Sequence, residues 1–226
     1  MAEASRRGLF RLGGLSAIAL GLSYVLITVL YVLGGSLPNG AEDWLRYLAG
    51  HAAAWWTILA LSILTDFLFL SVALALYIAL KEVNRNAALV GTGLLAMFAI
   101  LDLAVTWPNY SSLLTLSGRY AAAVNEVQRT VAISAATYAS AVLSSTLFAV
   151  YAIFVPSLGI LIIGLVMLKG AFSKLTAYAG LAAGIVGLVA VIGPFVLSAL
   201  GASAIAASVL TTVWVLLVGA RLCRLD

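Results

Sequence analysis

The chain has almost none of the residues from which disulfides, redox centres and transition-metal sites are built. Its 226 residues include one cysteine, Cys223, and one histidine, His51. An internal disulfide is excluded, and a haem with two histidine ligands, a Cys/His zinc site or a copper cluster lacks ligands. The acidic residues are few and scattered, which disfavours a carboxylate-only Mg²⁺ or Ca²⁺ site. We therefore expect no cofactor and no resident metal.

Charge is also scarce. Charged residues make up 9% of the chain and hydrophobic residues 64%, whereas soluble proteins carry about 25% charged residues. Lipid must therefore surround most of the chain, and we expect a multi-pass protein of a prokaryotic cell membrane. The net charge of +4 does not indicate nucleic-acid binding, because the basic residues lie at the ends of apolar runs, where they act as topology signals.

Apolar runs of about 20 residues predict six transmembrane helices. The runs cover residues 12–33, 52–80, 87–107, 146–168, 175–196 and 200–220. The polar turn at residues 81–86 is short, so the second and third helices should be antiparallel neighbours. Pro108 is expected to end the third helix. Residues 41–50 contain Trp44 and Tyr47, which predicts a short interfacial helix.

One apolar run, residues 131–168, is too long for a single crossing. It would make about 57 Å of helix, against a hydrocarbon core of about 30 Å. With a cytoplasmic N-terminus and one crossing, three basic residues lie outside, Arg46, Arg119 and Arg129. Nine lie inside, namely Arg6, Arg7, Arg11, Lys81, Arg85, Lys169, Lys174, Arg221 and Arg224.

That distribution obeys the positive-inside rule, and a second crossing would spoil it. Residues 119–145 are therefore predicted to form one helix on the outer face. The sequence as a whole predicts an all-α, single-domain bundle with six transmembrane helices, an outer-face helix and both termini in the cytoplasm.

Two aspartates, Asp66 and Asp102, lie inside apolar runs. A carboxylate at bilayer depth is costly, so it usually faces protein or water and has a partner. Ser62 lies one turn before Asp66, and Thr106 lies one turn after Asp102, on the same helix faces. Two interpretations stay open: structural pairing with Arg119 or Arg129, and a proton or cation relay.

A polar stripe follows on the predicted outer helix. Glu126, Thr130, Ser134, Thr137 and Ser144 recur at helical spacing, with Arg129 beside them. Such a stripe suits either the lining of a water-filled cavity or hydrogen bonds between helices. Both uses predict that this face packs on the bundle.

Small residues form two further faces. The face on the fifth span consists of Gly180, Ala183, Gly184 and Gly187, and the face on the first span consists of Gly13, Ala17 and Gly21. Small residues let helices approach closely. These faces could serve internal packing, a homo-oligomer or another membrane protein.

Four stretches of the sequence carry a family resemblance: DLAVTWPNY at residues 102–110, LLTLSGRYA at 113–121, Arg129, and MLKGAFSK at 167–174. The chain resembles an uncharacterised family of six-span prokaryotic membrane proteins that carry a domain of unknown function. The resemblance implies a six-helix membrane bundle. It implies no activity and no catalytic residues.

The sequence contains no G-x-S-x-G, H-E-x-x-H or P-loop pattern, so no catalytic residue is predicted. The leading hypothesis is a non-enzymatic integral membrane protein, either a structural or accessory component or a sensor-like module. The alternative is a small proton- or cation-coupled transporter that uses Asp66 and Asp102. A third hypothesis, an intramembrane lipid-modifying enzyme, needs a nucleophile and a base in contact.

Overall fold

The computed structural model describes residues 2–225, and side chains from residue 6 to residue 225. Most of this part of the chain is helical, and it contains no β-strand. The main helices are α1 (Ala2–Gly34), α2 (Ala41–Gly50), α3 (Ala52–Leu101), α4 (Trp107–Ala121), α5 (Glu126–Leu143), α6 (Thr146–Ala149), α7 (Val155–Met167), α8 (Lys174–Ile192) and α9 (Ser203–Leu222). Short π segments at Asp102–Thr106 and Val150–Phe154 join α3 to α4 and α6 to α7, and 3₁₀ turns at Gly193–Phe195 and Ser198–Ala202 separate α8 from α9.

Five helical stretches in the described residues are long and apolar enough to cross a membrane. They are Arg6–Gly34, Ala52–Ala121, Thr146–Met167, Lys174–Phe195 and Ser198–Leu222. The expectation of an all-α bundle of apolar helices is confirmed. The fourth predicted helix agrees closely with Thr146–Met167, and α2 has the bounds expected of the interfacial helix.

Helix α3 is a hairpin, because the chain reverses at Asn84. Its backbone there is extended, with φ −157° and ψ 98°, and its side chain accepts a hydrogen bond from the amide of Ala87 at 3.1 Å. This bond caps the start of the second arm. The rings of Phe69 and Phe98 pack edge to face at 5.7 Å, whereas a straight helix would separate them by about 43 Å. The two arms, residues 52–83 and 85–101, are antiparallel neighbours, as the polar turn predicted.

Six helical segments form a closed ring within the described chain, namely α1, the two arms of α3, α7, α8 and α9. Glycines let five of the six interfaces close tightly, at Gly13–Ala75, Gly91–Gly159, Gly164–Leu181, Gly180–Trp214 and Gly219–Gly14. A Cβ added at any of the first-named glycines would come within 3.0 Å of an atom of the neighbouring helix. The small-residue faces of α1 and α8 are thus used inside the chain.

Helices α2, α4 and α5 form a cap over one end of the ring. The cap has its own apolar core, in which Trp44, Leu48, Leu113 and Ala136 pack together beside Trp55 of α3. Burial of these large side chains fixes the three short helices on the bundle.

The expectation that Pro108 ends the third helix was wrong, since the helix continues to Ala121. The π segment before the proline widens the turn, and the amide of Trp107 donates to the carbonyl of Asp102, five residues back. The wider turn makes room for the proline ring. The side chain of Asn109 donates to the carbonyl of Val105 at 2.7 Å.

The expectation of one helix over residues 119–145 was also wrong. Arg119 lies in the last turn of α4, and α5 begins afresh at Glu126. Asn125 caps the new helix by accepting from the amide of Gln128 at 2.9 Å, while the Gln128 side chain accepts from the amide of Val124 at 2.9 Å. This reciprocal pair resembles a capping box, and it favours a new helix start over continuation of α4.

The polar stripe of α5 faces away from the bundle, contrary to expectation. Glu126, Thr130, Ser134, Thr137 and Ser144 are all exposed, and the buried face is formed by Ala132, Ala136, Ala139, Ser140 and Leu143. Two of the stripe's hydroxyls bond to their own helix, Thr137 to the carbonyl of Ile133 and Ser144 to that of Ser140. The surfaces of α2 and α4 that α5 packs against carry bulky side chains. Small alanines on the buried face of α5 let that helix approach them closely.

Candidate functional site

A cavity of about 430 Å³ lies inside the ring, at the end nearest the cap. Helix α1, both arms of α3, α7 and α9 contribute to its wall. The polar lining residues are Tyr24, Thr28, Tyr31, Ser62, Thr65, Asp66, Asp102, Ser157, Ser208 and Thr211. Among the remaining lining residues are four aromatic side chains, Phe69, Phe98, Trp107 and Phe148. The cavity is therefore both aromatic and acidic.

Asp66 lies on the first arm of α3 and is 1% exposed. Its Oδ2 accepts a hydrogen bond from the indole Nε1 of Trp107 at 2.5 Å. The bond joins the first arm to the first residue of α4, so it depends on the reversal at Asn84. Ser62, predicted to share the face of Asp66, also lines the cavity.

Asp102 opens the π segment that precedes α4, and it is 6% exposed. Its Oδ1 accepts from the hydroxyl of Thr106 at 2.5 Å. That hydroxyl also lies 3.1 Å from the phenol oxygen of Tyr151. The predicted pairing of Asp102 with Thr106 is thus present, and the structure adds Tyr151 from the second π segment.

Each carboxyl group has one oxygen left over. Within residues 6–225, Oδ1 of Asp66 and Oδ2 of Asp102 receive no hydrogen bond. Neither oxygen is completely enclosed by protein atoms. Both side chains line the cavity. The two remaining oxygens are therefore available to whatever occupies it.

Two π segments meet at this site. Each ends two residues before a proline, Pro108 in one case and Pro156 in the other. The hydroxyls of Thr106, from the first, and Tyr151, from the second, are in contact. Single π turns inside α-helices occur frequently at functional sites, because they re-aim side chains that a regular helix would direct elsewhere.

The arginines that the sequence offered as partners do not reach the aspartates. Arg129 pairs with Glu126 at 3.0 Å on the exposed face of α5. Arg119 is exposed and borders a groove beside Pro108 and Thr115 on α4. Arg119 lies about 25 Å along the helix from Asp102, because α4 is a continuous helix. Glu126, Arg119 and Arg129 are therefore separate from the cluster of Asp66, Asp102, Ser62 and Thr106.

The lining of the cavity contains no lysine, arginine or histidine among the described residues. Two buried carboxylates without a compensating charge would be costly. A proton or a bound cation removes that cost. No group of three or more histidine, cysteine, aspartate or glutamate residues suited to a metal ion occurs in the described chain.

An aromatic cluster lies between the cavity and the rest of the cap. Two of its members line the cavity. Tyr31 packs on Trp55 with ring centroids 5.4 Å apart, and Trp107 packs on Tyr110 with ring centroids 5.8 Å apart. Trp55 and Tyr110 in turn pack on each other at 5.1 Å and on Trp44 of α2. We call these five residues the aromatic roof.

A polar triad fastens α2 to α4 in the cap. Glu42 accepts hydrogen bonds from the Tyr120 hydroxyl at 2.9 Å and from Arg46 at 2.5 Å, and Arg46 donates to the Tyr120 oxygen at 3.1 Å. The hydrogen bond from Tyr120, followed by that from Arg46, holds the pKa of the Glu42 carboxyl below its ordinary value. The triad lies at the surface of the cap, with Arg46 exposed and the other two side chains partly exposed, so it positions α2 without taking part in the cavity.

None of the family models, curated proteins or solved structures compared with this chain matches it. The resemblance to a six-span family therefore stays a prediction, and the function must be argued from the cavity itself.

Sequence reasoning missed Trp107, Tyr151, Tyr24 and Tyr31 as site residues. Trp107 was hidden because Pro108 was expected to end the helix at that point. The three tyrosines could have been predicted, because each lies within an apolar run and a buried tyrosine hydroxyl needs a hydrogen-bond partner.

Proposed function

We propose that this chain is a non-enzymatic integral protein of a prokaryotic cytoplasmic membrane, and that it works as a small proton- or cation-coupled transporter. The two arms of α3 are counted as separate crossings, which gives six transmembrane segments with both termini in the cytoplasm. The positive-inside distribution of lysine and arginine supports this orientation. The cap then lies on the outer side.

The observation that carries the proposal is the pair of aspartates on one cavity whose lining, in the described residues, has no basic side chain. Ionisable residues inside membrane segments commonly mark ion or proton pathways. Asp66 and Asp102 each keep an oxygen that no protein group occupies in the described chain. Proton release from such a carboxyl is favoured when a cation arrives beside it, which is the basis of coupling.

The cavity favours transport over a purely structural or accessory role. Structural aspartates need only their hydrogen-bond donors, Trp107 and Thr106, and gain nothing from a space of about 430 Å³ beside them. An intramembrane enzyme is less favoured. Neither aspartate is hydrogen-bonded to a serine in the described chain, and His51 is exposed, with its ring stacked on Tyr47.

The test is proton flux in proteoliposomes that contain a pH-sensitive dye. Gradients of Na⁺, K⁺ and organic ammonium ions are imposed in turn across vesicles with the wild-type protein, Asp66→Asn, Asp102→Asn and the matched control Asp43→Asn. Asp43 is exposed in the cap. We expect a cation-driven proton flux that disappears in Asp66→Asn and Asp102→Asn and persists in Asp43→Asn.

Melting temperature and elution profile in detergent show whether each variant is folded. Proton flux that is equal in the wild type, the folded Asp66→Asn variant and protein-free vesicles, under every gradient, would overturn the proposal.

A further inference from the structure

We propose that the cavity binds a lipophilic organic cation, such as an ammonium ion with apolar substituents, which reaches it sideways from the bilayer between α1 and α9. Asp66 is its counter-ion. This deepens the transport function proposed above and rests on it for the link to proton flux, but binding can be tested separately.

The size of the cavity suits an organic molecule. A volume of about 430 Å³ lies within the range of about 300–1,000 Å³ typical of small-molecule pockets. A proton or a bare metal ion does not need this space. The described chain also offers no cluster of three or more carboxylate, histidine or cysteine ligands, and hard cations such as Ca²⁺ take about six to eight oxygen ligands.

The wall has the chemistry of an organic-cation site. Phe69 and Phe98 stand on the two arms of α3, and Trp107 and Phe148 lie nearer the cap. Aromatic faces attract cations, most strongly in a desolvated setting, and rings of this kind recognise quaternary ammonium ligands. The free Oδ1 of Asp66 supplies the negative charge within the same wall. An anion would meet two carboxyl groups and, in the described lining, no basic side chain.

The position of the opening follows from the way α1 and α9 pack. At one end they touch through Gly14 and Gly219, and a Cβ at Gly21 would lie 2.5 Å from Leu216 Cδ2. Nearer the cap, Thr28 of α1 and Ser208 of α9 line the cavity and are also exposed. Among the described residues that line the cavity, these two are the exposed ones. The cavity therefore reaches the molecular surface between α1 and α9.

The surface around that opening is apolar. Val25 and Val29 on α1 are each 47% exposed, and Ile205 and Val209 on α9 are 74% and 52% exposed. In a membrane protein such side chains face lipid. The aromatic roof blocks the route towards the cap, and the tightly packed ring core around Val72, Leu76 and Leu95 blocks the opposite route. The ligand must therefore partition into the bilayer, which selects lipophilic cations over hydrophilic ones.

The first experiment measures binding to the full chain in lipid nanodiscs by calorimetry. The probes are benzyltriethylammonium, the smaller tetramethylammonium, the anion 4-butylbenzenesulfonate and Na⁺. We expect saturable binding of benzyltriethylammonium, binding at least tenfold weaker for tetramethylammonium, and none for the anion. In Asp66→Asn the affinity for benzyltriethylammonium should fall about 30-fold, because a buried charge partner is lost, while Asp43→Asn should bind like the wild type.

The second experiment tests the route. Ser208→Trp fills the gap, whereas Ile205→Trp adds the same ring on the exposed face beside it. We expect Ser208→Trp to slow association at least tenfold and Ile205→Trp to leave the association rate unchanged. Equal association rates in the two folded variants would overturn the lateral route.

Absence of saturable benzyltriethylammonium binding, or equal binding of the anion, would overturn the ligand class. The two proposals fail in different ways. Proton flux that depends on Asp66 under a Na⁺ or K⁺ gradient, without organic-cation binding, would leave transport standing and refute this inference. Asp66-dependent binding of the organic cation without any proton flux would refute the transport function and leave this inference standing.

Discussion

The indole nitrogen of Trp107 donates a hydrogen bond to the carboxyl of Asp66 at 2.5 Å, although the two residues are 41 positions apart. The contact closes the α3 hairpin at its open end, far from the reversal at Asn84. It also orients the carboxyl group, because one oxygen is held by the indole while the other stays free towards the cavity.

Replacing Trp107 by Phe should remove this bond and keep most of the ring. We expect the free energy of unfolding to fall by about 1–3 kcal/mol, since a buried carboxyl loses its donor. Thermal unfolding in detergent measures the loss. In a double-mutant cycle with Asp66→Asn, the two changes should be coupled by about 0.5–2 kcal/mol, because the residues are in direct contact. Strict additivity would show that the bond contributes nothing to stability.

Replacing Thr106 by Val should break the contact between the two π segments. The variant removes the hydroxyl that lies between Asp102 and Tyr151, so we expect a loss of about 1–2 kcal/mol in the free energy of unfolding. Thr57→Val is the matched control, because the Thr57 hydroxyl bonds only to its own helix at Ala53 and is exposed. The prediction fails if both variants have the same melting temperature.

Two glycines on the second arm of α3 should respond in opposite ways to alanine. A Cβ at Gly91 would lie 2.8 Å from Ile163 and 3.2 Å from the carbonyl of Gly159, whereas a Cβ at Gly93 would meet nothing within 4 Å. We expect Gly91→Ala to destabilise the fold by about 1–3 kcal/mol through overpacking. Gly93→Ala should be neutral or stabilising, because alanine is the better helix former. Unfolding by denaturant in mixed micelles compares the two, and a larger loss at Gly93 would contradict the packed ring.

The attachment of α2 to α4 should depend on pH through Glu42. Hydrogen bonds from Tyr120 and Arg46 lower the pKa of this carboxyl in the folded protein. Its contribution is therefore complete above the ordinary pKa of a glutamate and is lost as the pH falls through the lowered value. We expect amide hydrogen exchange in α2 to rise, after correction for the intrinsic rate, as the pH falls through this window.

Glu42→Gln should abolish that pH dependence, while Asp43→Asn should keep it, since Asp43 lies outside the triad. High salt should weaken the effect, because the triad lies at the surface and is partly exposed to solvent. Pronounced acid-dependent exchange in Glu42→Gln would assign the transition to another group.

The sequence predicted most of the helices because a segment in lipid must satisfy its own backbone hydrogen bonds, which a local helix does. In lipid, a run of apolar residues between charged ends can satisfy its backbone polar groups by forming a helix. The helical stretches at residues 6–34, 146–167 and 174–195 could therefore be predicted directly. The reversal of α3 was also local, since Lys81, Glu82 and Arg85 cluster around the turn. The faces of α5 were misread for the opposite reason. Its orientation depends on packing against the bulky side chains of α4 and of α2, which lies far away in the sequence. Alanines pack against that surface more closely than serine and threonine do, so the alanine face is buried.

By itself, the sequence determined that the chain folds as apolar helices, and it determined that Asp66 and Asp102 need partners. Only the tertiary structure decided which partners those are. The arginines that the sequence offered as partners, Arg119 and Arg129, lie in the cap. The donors are Trp107 and Thr106. The physical reason is that a π turn before Pro108 lets the helix continue past the proline. That continuation carries Arg119 away from the cavity and brings Trp107 to Asp66, a long-range consequence that composition and periodicity do not encode.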